Sequence, residues 1–397
     1  MKIGILTFIH THNYGANLQC LALQTFIMSL GHDVEVIDMY RPVDKGYDPC
    51  KEDRRLFPPL HRNNSFKDYQ ARINKYVASI IKKVRRRYTS EKPKKGGFLA
   101  FQEEYIHFSE EKFSNINQLY KEFPQGKYDV VFTGSDQVWN YDSAYSKEPF
   151  FLTFVEKSKK VAYAASLGHD SVPDKVSVIY SKWLNTFSAI SVREDTAVTA
   201  LSKITKKEIV QTLDPTLLLS KTEWAGLLSL ESDQSQSCDD NGYILVYMLS
   251  VSTSVMKTAI KIADALKCSL KIITNRPLLF KGEYELLQGL NPRSFVQYYS
   301  KARFIVTNSF HGTAFAINFN IPFVTVEKEG ARLNARKTSL LKLFNLEKRK
   351  VYEGDDVDID SILDCDFTEV NAILAAERAK SIQFLKSSLE YAESYGI

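Results

Sequence analysis

Apolar and polar positions along this chain switch repeatedly between a period of two and a period of 3.6. Residues 3–8 form a short apolar run, 10–17 turn polar, and 18–30 place apolar side chains at helical spacing up to Gly31. Residues 33–38 then alternate as a strand. Strand, glycine-containing loop, helix, glycine stop and strand make a βαβ unit. Further buried strands are expected at 128–133, 161–165, 189–192 and 208–213. A polar stretch at 232–242 reads as linker or exposed loop. The rhythm then restarts, with strands at 243–249, 270–274, 304–308 and 322–326 and helices at 254–266 and 311–318. An amphipathic helix over 367–395 closes the chain. The pattern predicts an α/β fold of two Rossmann-like doubly wound domains, residues 1–225 and 226–397, facing a cleft. The terminal helix is counted with the second domain. In such sheets ligands lie beyond the carboxyl ends of the strands, so the loops there are the places to look for function.

Composition adds limits. At 397 residues, with 44% hydrophobic and 25% charged positions, the chain exceeds what one core usually serves. It has no run of about 18 apolar residues that would span a membrane, and its first apolar run is too short for a signal peptide. Cys20, Cys50, Cys238, Cys268 and Cys365 are scattered and never paired as CxxC, which argues against a zinc site or a disulfide framework and for a reducing cytoplasm. The net charge of +5 is uneven. Residues 54–95 carry fourteen Lys/Arg against Asp68 and Glu91, leaving the remainder at −7. Basicity confined to one segment does not suit a nucleic-acid-coating surface. That segment belongs to an expected helical insertion at about 50–120. Within it, 66–88 predict a basic amphipathic helix, which either packs on its own domain or lies on an anionic membrane surface. The acidic stretch 353–360 lacks EF-hand spacing and reads as a solvated loop.

Four loops after strands hold candidate chemistry. In HTHNYGAN (10–17), Gly15 allows close backbone approach, and Asn13, Tyr14 and Asn17 flank a helix start that favours anions. The loop is not GxGxxG, so no dinucleotide fingerprint is present; a plain turn with capping Asn residues is the alternative. TGSDQVWN (133–140) offers Ser135, Asp136 and Asn140, with Trp139 either a plate for a sugar or a buried core residue. In SVRED (191–195), Arg193 is placed to clamp a carboxylate or phosphate, or to pair with Glu194 or Asp195. TNSFHGT (307–313) sets His311 at a strand-to-helix switch with Asn308, Ser309, Gly312 and Thr313 around it. Arg332 and Arg336 follow the next strand and offer further positive charge.

In this order, with Leu18-Gln19, LDPT (213–216) and the stretch 336–346, these segments resemble the polysaccharide pyruvyltransferase family over roughly residues 1–350. The resemblance implies a glycosyltransferase-B-like fold and phosphoenolpyruvate as co-substrate, with no metal or other cofactor. It implies transfer of the pyruvyl group as a cyclic ketal across two sugar hydroxyls, with release of phosphate. The acceptor would be a surface polysaccharide or its polyprenyl-diphosphate-linked precursor, at the cytoplasmic face of a membrane that 54–95 could touch. By the same resemblance Arg193 holds the donor's negative groups and His311 is the catalytic acid/base or a phosphate contact. The residue types then assign His311 as acid, Arg193 as clamp and Asp136 as the group that orients or deprotonates the acceptor hydroxyl. Several relatives carry Arg where this chain has Ser309. The missing charge then comes from Arg332 or Arg336, or the donor is held differently. A second catalytic histidine is open among His10, His12 and His169. A nucleotide-sugar glycosyltransferase and a non-catalytic glycan-binding module are the competing classes.

Overall fold

The computed structural model describes residues 1–41, 96–143, 148–230, 242–278, 280, 282–328, 335–355, 358–363 and 365–394. The basic segment 54–95, the polar stretch up to residue 241 and Arg332 lie outside the described residues.

The first half builds a seven-stranded sheet. In chain order it runs β1 (Lys2–Leu6), α1 (Tyr14–Ser29), β2 (Asp33–Met39), α2 (Gly96–Tyr105), β3 (Phe108–Phe113), α3 (Ile116–Glu122), β4 (Val130–Thr133), β5 (Lys159–Ala165), α4 (Asp174–Leu184), β6 (Ala189–Val192), α5 (Asp195–Ser202), β7 (Ile209–Gln211) and α6 (Lys221–Leu227). The strand order is β3-β2-β1-β4-β5-β6-β7, and every neighbouring pair is parallel. The second half follows with β8 (Tyr243–Met248), α7 (Thr253–Leu266), β9 (Ser269–Thr274), β10 (Glu285–Leu287), α8 (Pro292–Ser300), β11 (Phe304–Thr307), α9 (Phe310–Asn318), β12 (Phe323–Glu327), α10 (Ala335–Leu343), β13 (Lys350–Tyr352), α11 (Ile359–Leu363) and α12 (Thr368–Ser394). Its six strands, order β10-β9-β8-β11-β12-β13, are again all parallel. A parallel strand is covered on both faces, which explains why β4, β11 and β12 are buried along their whole length.

Each strand order reverses once, between β1 and β4 in the first sheet and between β8 and β11 in the second. Three of the four loops the sequence singled out, after β1, β4 and β11, lie at these switch points, and the fourth follows β6. The halves meet through one continuous apolar core. Tyr14 at the start of α1 stacks on Phe295 of α8 at 4.6 Å between ring centres, and the Asn275 amide donates to the His12 carbonyl at 2.8 Å. The terminal helix α12 returns to the first sheet, where its Ser381 hydroxyl accepts the Leu213 N–H at 2.9 Å.

Of the helical insertion expected at about 50–120, residues 50–95 lie outside the described residues. From residue 96 onward the chain belongs to the first sheet and its helices, and β3 is that sheet's edge strand. Helix α1 begins at Tyr14 rather than Leu18, because the Asn13 side chain caps it by accepting from the Ala16 N–H.

Candidate functional site

The site is assembled at the carboxyl ends of both sheets. From the first sheet, β4 leads into Ser135 and Asp136, and β6 into Arg193. β7 leads to Asp214, which caps the short 3-10 turn Pro215–Leu217. Asp136 holds a left-handed φ of 76°, a conformation a non-glycine residue adopts at a cost and one that collects at functional sites. Gly134 passes so close to Thr7 that an added Cβ would lie 2.9 Å from its Cβ. From the second sheet, β11 runs into Ser309, whose hydroxyl caps α9 by accepting from the Gly312 N–H at 3.3 Å. His311 is the second residue of that helix.

Asp214 is the hub. Its side chain is fully buried, and its Oδ2 accepts from Arg193 Nη1 at 2.6 Å and from the Ser135 hydroxyl at 2.9 Å. His311 Nε2 stands 3.5 Å from the same oxygen, at ion-pair range. Oδ1 accepts the Thr216 N–H and hydroxyl at 3.0 and 2.7 Å. Burial alone would raise the Asp214 pKa. The charge and hydrogen-bonding capacity of His311, and then Arg193, hold it well below the usual carboxylate range. Arg193, 5% exposed, also stands 3.5 Å from Glu194 through Nε and lies 3.9 Å over the Phe310 ring. Its Nε and Nη2, together with His311 Nε2, make no hydrogen bond although buried. Burial would weaken this cation, but Asp214 and then Glu194 raise its pKa. Gly15 closes the other side of His311: an added Cβ would sit 2.0 Å from Nδ1. The arrangement pairs a buried cation that has unfilled donors with a carboxylate–imidazole couple and the positive end of a helix. It suits an anionic substrate and proton transfer. Among the described residues no group of three or more His, Cys, Asp or Glu is placed to hold a metal ion.

A family model for polysaccharide pyruvyl transferase matches residues 13–327, most of the chain. The chain belongs to the polysaccharide pyruvyl transferase family. No curated protein matches it. Among solved structures, the UDP-GlcNAc 2-epimerase of Methanocaldococcus jannaschii is similar at 11% identity and a TM-score of 0.50, covering 98% of this chain and 100% of that one. A Listeria monocytogenes protein described as a UDP-N-acetylglucosamine 2-epimerase is similar at 8% identity and a TM-score of 0.50, covering 96% and 90%. These likenesses concern the fold, which is glycosyltransferase-B-like.

Within this family member the sequence-derived candidates separate into groups. His311, Arg193 and Ser135 meet at Asp214, and Gly15 abuts His311. Asp136 adjoins them in sequence, and its carboxylate accepts the Gln137 N–H at 2.8 Å. Arg336, on α10, reaches the Gln137 amide oxygen at 2.7 Å through Nη1 and is close also through Nη2. Asn140 extends this line, 2.6 Å from the other end of the Gln137 amide and 2.9 Å from His169, with Tyr141 stacked on the His169 ring at 4.3 Å.

The remaining candidates shape the framework. Trp139 is fully buried, stacked on Phe151 at 5.2 Å with Nε1 donating to the Phe150 carbonyl. It therefore has no free face for a sugar, and the core alternative holds. Tyr14 belongs to the seam between the halves. Asn13 and Ser309 cap helices, and Asn17 braces its own loop through the Thr11 and Asn13 carbonyls. Asn308 clamps the loop after β8, accepting from the Leu249 N–H and donating to the Ser250 carbonyl. Thr313 donates to the Ser309 carbonyl and accepts from the Thr325 hydroxyl. Gly312 leaves room for Thr307 and Tyr299, which an added Cβ would meet at 2.4 and 2.8 Å. His10 is held by Asp38 at 2.6 Å beneath Tyr40, while His12 is exposed and tilts over Phe98.

The residue that sequence reasoning missed as a site member is Asp214. Its signal was an Asp-Pro just beyond the strand expected at 208–213, at the end of the sheet where ligands collect.

Proposed function

We propose that the chain transfers the pyruvyl group of phosphoenolpyruvate onto two hydroxyls of a sugar in a surface polysaccharide or its lipid-linked precursor. A cyclic pyruvate ketal forms and phosphate leaves. The observation that carries this reading is the buried Arg193 guanidinium, whose Nε and Nη2 make no hydrogen bond among the described residues, Nε meeting Glu194 only at 3.5 Å. A buried donor left unfilled is costly, and charge-assisted bonds from a carboxylate or phosphate would fill it.

The reaction needs one proton delivered to the methylene carbon, which becomes the methyl group, while the first hydroxyl oxygen adds to the adjacent carbon. The bond from that carbon to the phosphate oxygen then breaks, and the second hydroxyl closes the ketal. Of the two hydroxyl protons, one balances the methyl and the other leaves with phosphate. His311 serves as the acid. Asp214 stands 3.5 Å from its Nε2 and faces that edge of the ring. Arg193 holds the donor's negative groups, and Asp136 orients or deprotonates the acceptor hydroxyl.

His311→Ala is expected to reduce phosphate release by at least about 100-fold, the scale of general acid–base catalysis, with the fold retained. Arg193→Lys is expected chiefly to raise KM for phosphoenolpyruvate, because an ammonium cannot reproduce the fork. Steady-state phosphate release checks both. Near-wild-type kinetics in the two variants together would remove this site from the mechanism. Lost turnover with an unchanged donor KM in Arg193→Lys would remove only the clamp.

A further inference from the structure

Among the described residues Arg336 makes no ion pair of its own, although the carboxylates of Asp136, Glu194 and Asp214 lie near enough to act on its charge. Asp214 is already met by Arg193, His311, Ser135 and Thr216. Glu194 faces Arg193 and accepts from the Ser166 hydroxyl. Arg336, coming from the second domain on α10, instead directs its fork at the neutral amide of Gln137. That amide follows Asp136 on the loop at the first sheet's switch point. Two guanidiniums therefore share one pocket, one from each half of the molecule, and they repel. Burial and then the Arg193 charge lower the Arg336 pKa to about 10. The next residue, Lys337, is turned away: its Nζ donates to the Asn308 carbonyl at 3.2 Å and lies 3.5 Å from Glu327. Keeping two like charges together is unfavourable unless an anion lies between them.

We propose that Arg336 is the second anion clamp of the donor pocket, gripping the phosphate or carboxylate of phosphoenolpyruvate across from Arg193 and so tying the second domain to the bound donor. This rests on the pyruvyl-donor reading above and adds a residue to it. Phosphoenolpyruvate carries about three negative charges near neutrality, more than one buried arginine can match. A clamp on each domain also makes donor affinity depend on both halves being in place. The rival role for Arg336 is internal balance of Asp136, Glu194 and Asp214, which would affect the stability of the empty protein but not donor discrimination.

The test compares wild type, Arg336→Gln and, as a surface control on the same helix, Lys342→Gln, whose side chain is 67% exposed against Asp195. Melting temperature is recorded with and without phosphoenolpyruvate, and KM is measured for donor and acceptor. The clamp predicts that phosphoenolpyruvate stabilises wild type and Lys342→Gln. It predicts that Arg336→Gln loses most of that stabilisation, with donor KM raised on the order of 10–100-fold and acceptor KM unchanged, the range for losing a charged hydrogen bond. Equal stabilisation and equal donor KM in Arg336→Gln would overturn the clamp while leaving the donor assignment standing. No stabilisation of wild type and no phosphate release from it would overturn the donor assignment, and the clamp with it. If Arg336→Gln does not fold, Arg336→Lys takes its place: loss of the fork should raise donor KM about tenfold, and an unchanged KM would overturn the proposal.

Discussion

Replacing Gly15 by alanine is expected to lower turnover by about 100-fold or more, without unfolding the protein. The added methyl would lie 2.0 Å from His311 Nδ1 and 2.2 Å from Cγ, far inside contact distance. Something must move, and the ring is the softer partner, because the backbone around Gly15 is held in the first turn of α1 and by the Tyr14–Phe295 stack. A displaced ring no longer faces Asp214. Local helix propensity works the other way, since alanine is favoured over glycine inside a helix by about 0.5–1 kcal/mol. Overpacking costs about 1–3 kcal/mol. The net change in stability is therefore small beside the change in rate. Phosphate-release kinetics together with a thermal melt separate the two. Full activity in Gly15→Ala would mean that His311 is not held against α1 as described.

Asp214→Asn is expected to be the most destabilising single change at the site. It leaves Oδ1 bonding to Thr216 in place but removes the charge that answers Arg193, a residue only 5% exposed. Breaking a buried pair by deleting one partner costs about 3–5 kcal/mol, a fall in Tm on the order of 10 °C. The pH dependence has a definite sign. The folded-state pKa of Asp214 lies below its unfolded value of about 3.9, so below that pH the unfolded chain binds a proton that the folded chain does not. The contribution of Asp214 is thus complete above about pH 4 and is lost as the pH falls towards the folded pKa. Wild type should accordingly lose more stability between about pH 5 and 3 than Asp214→Asn does. Melting curves across that range check it, and parallel acid limbs would contradict the described ion pair.

Much of this architecture was legible because buried parallel strands advertise themselves. β4 as VVFT and β11 as FIVT leave little choice of element, and the loops after them stand out in the sequence as polar clusters. β3 escaped because FSEEKF carries its burial on alternate positions between charges, as an edge strand can, and so resembled the polar insertion before it. The first turn of α1 escaped because Asn13, Gly15 and Asn17 look like breakers, whereas one caps the helix, one makes room for a ring and one braces the loop. Trp139 was evenly balanced on sequence, since an aromatic beside a polar loop serves a core or a ligand equally well; its contacts with Phe150 and Phe151 decide for the core. Asp214 was hidden by distance. It lies 21 residues from Arg193 and 97 from His311, and only the meeting of two sheets reveals that one carboxylate serves both.

The most direct measurement is phosphate release from phosphoenolpyruvate by the purified protein across a panel of α- and β-galactosides, glucosides, N-acetylhexosaminides and a polyprenyl-diphosphate-linked glycan, with mass analysis of the sugar. The account predicts acceptor-dependent release and a sugar heavier by one pyruvate less water. Absence of release with every acceptor, together with thermal stabilisation by a nucleotide sugar and none by phosphoenolpyruvate, would contradict it.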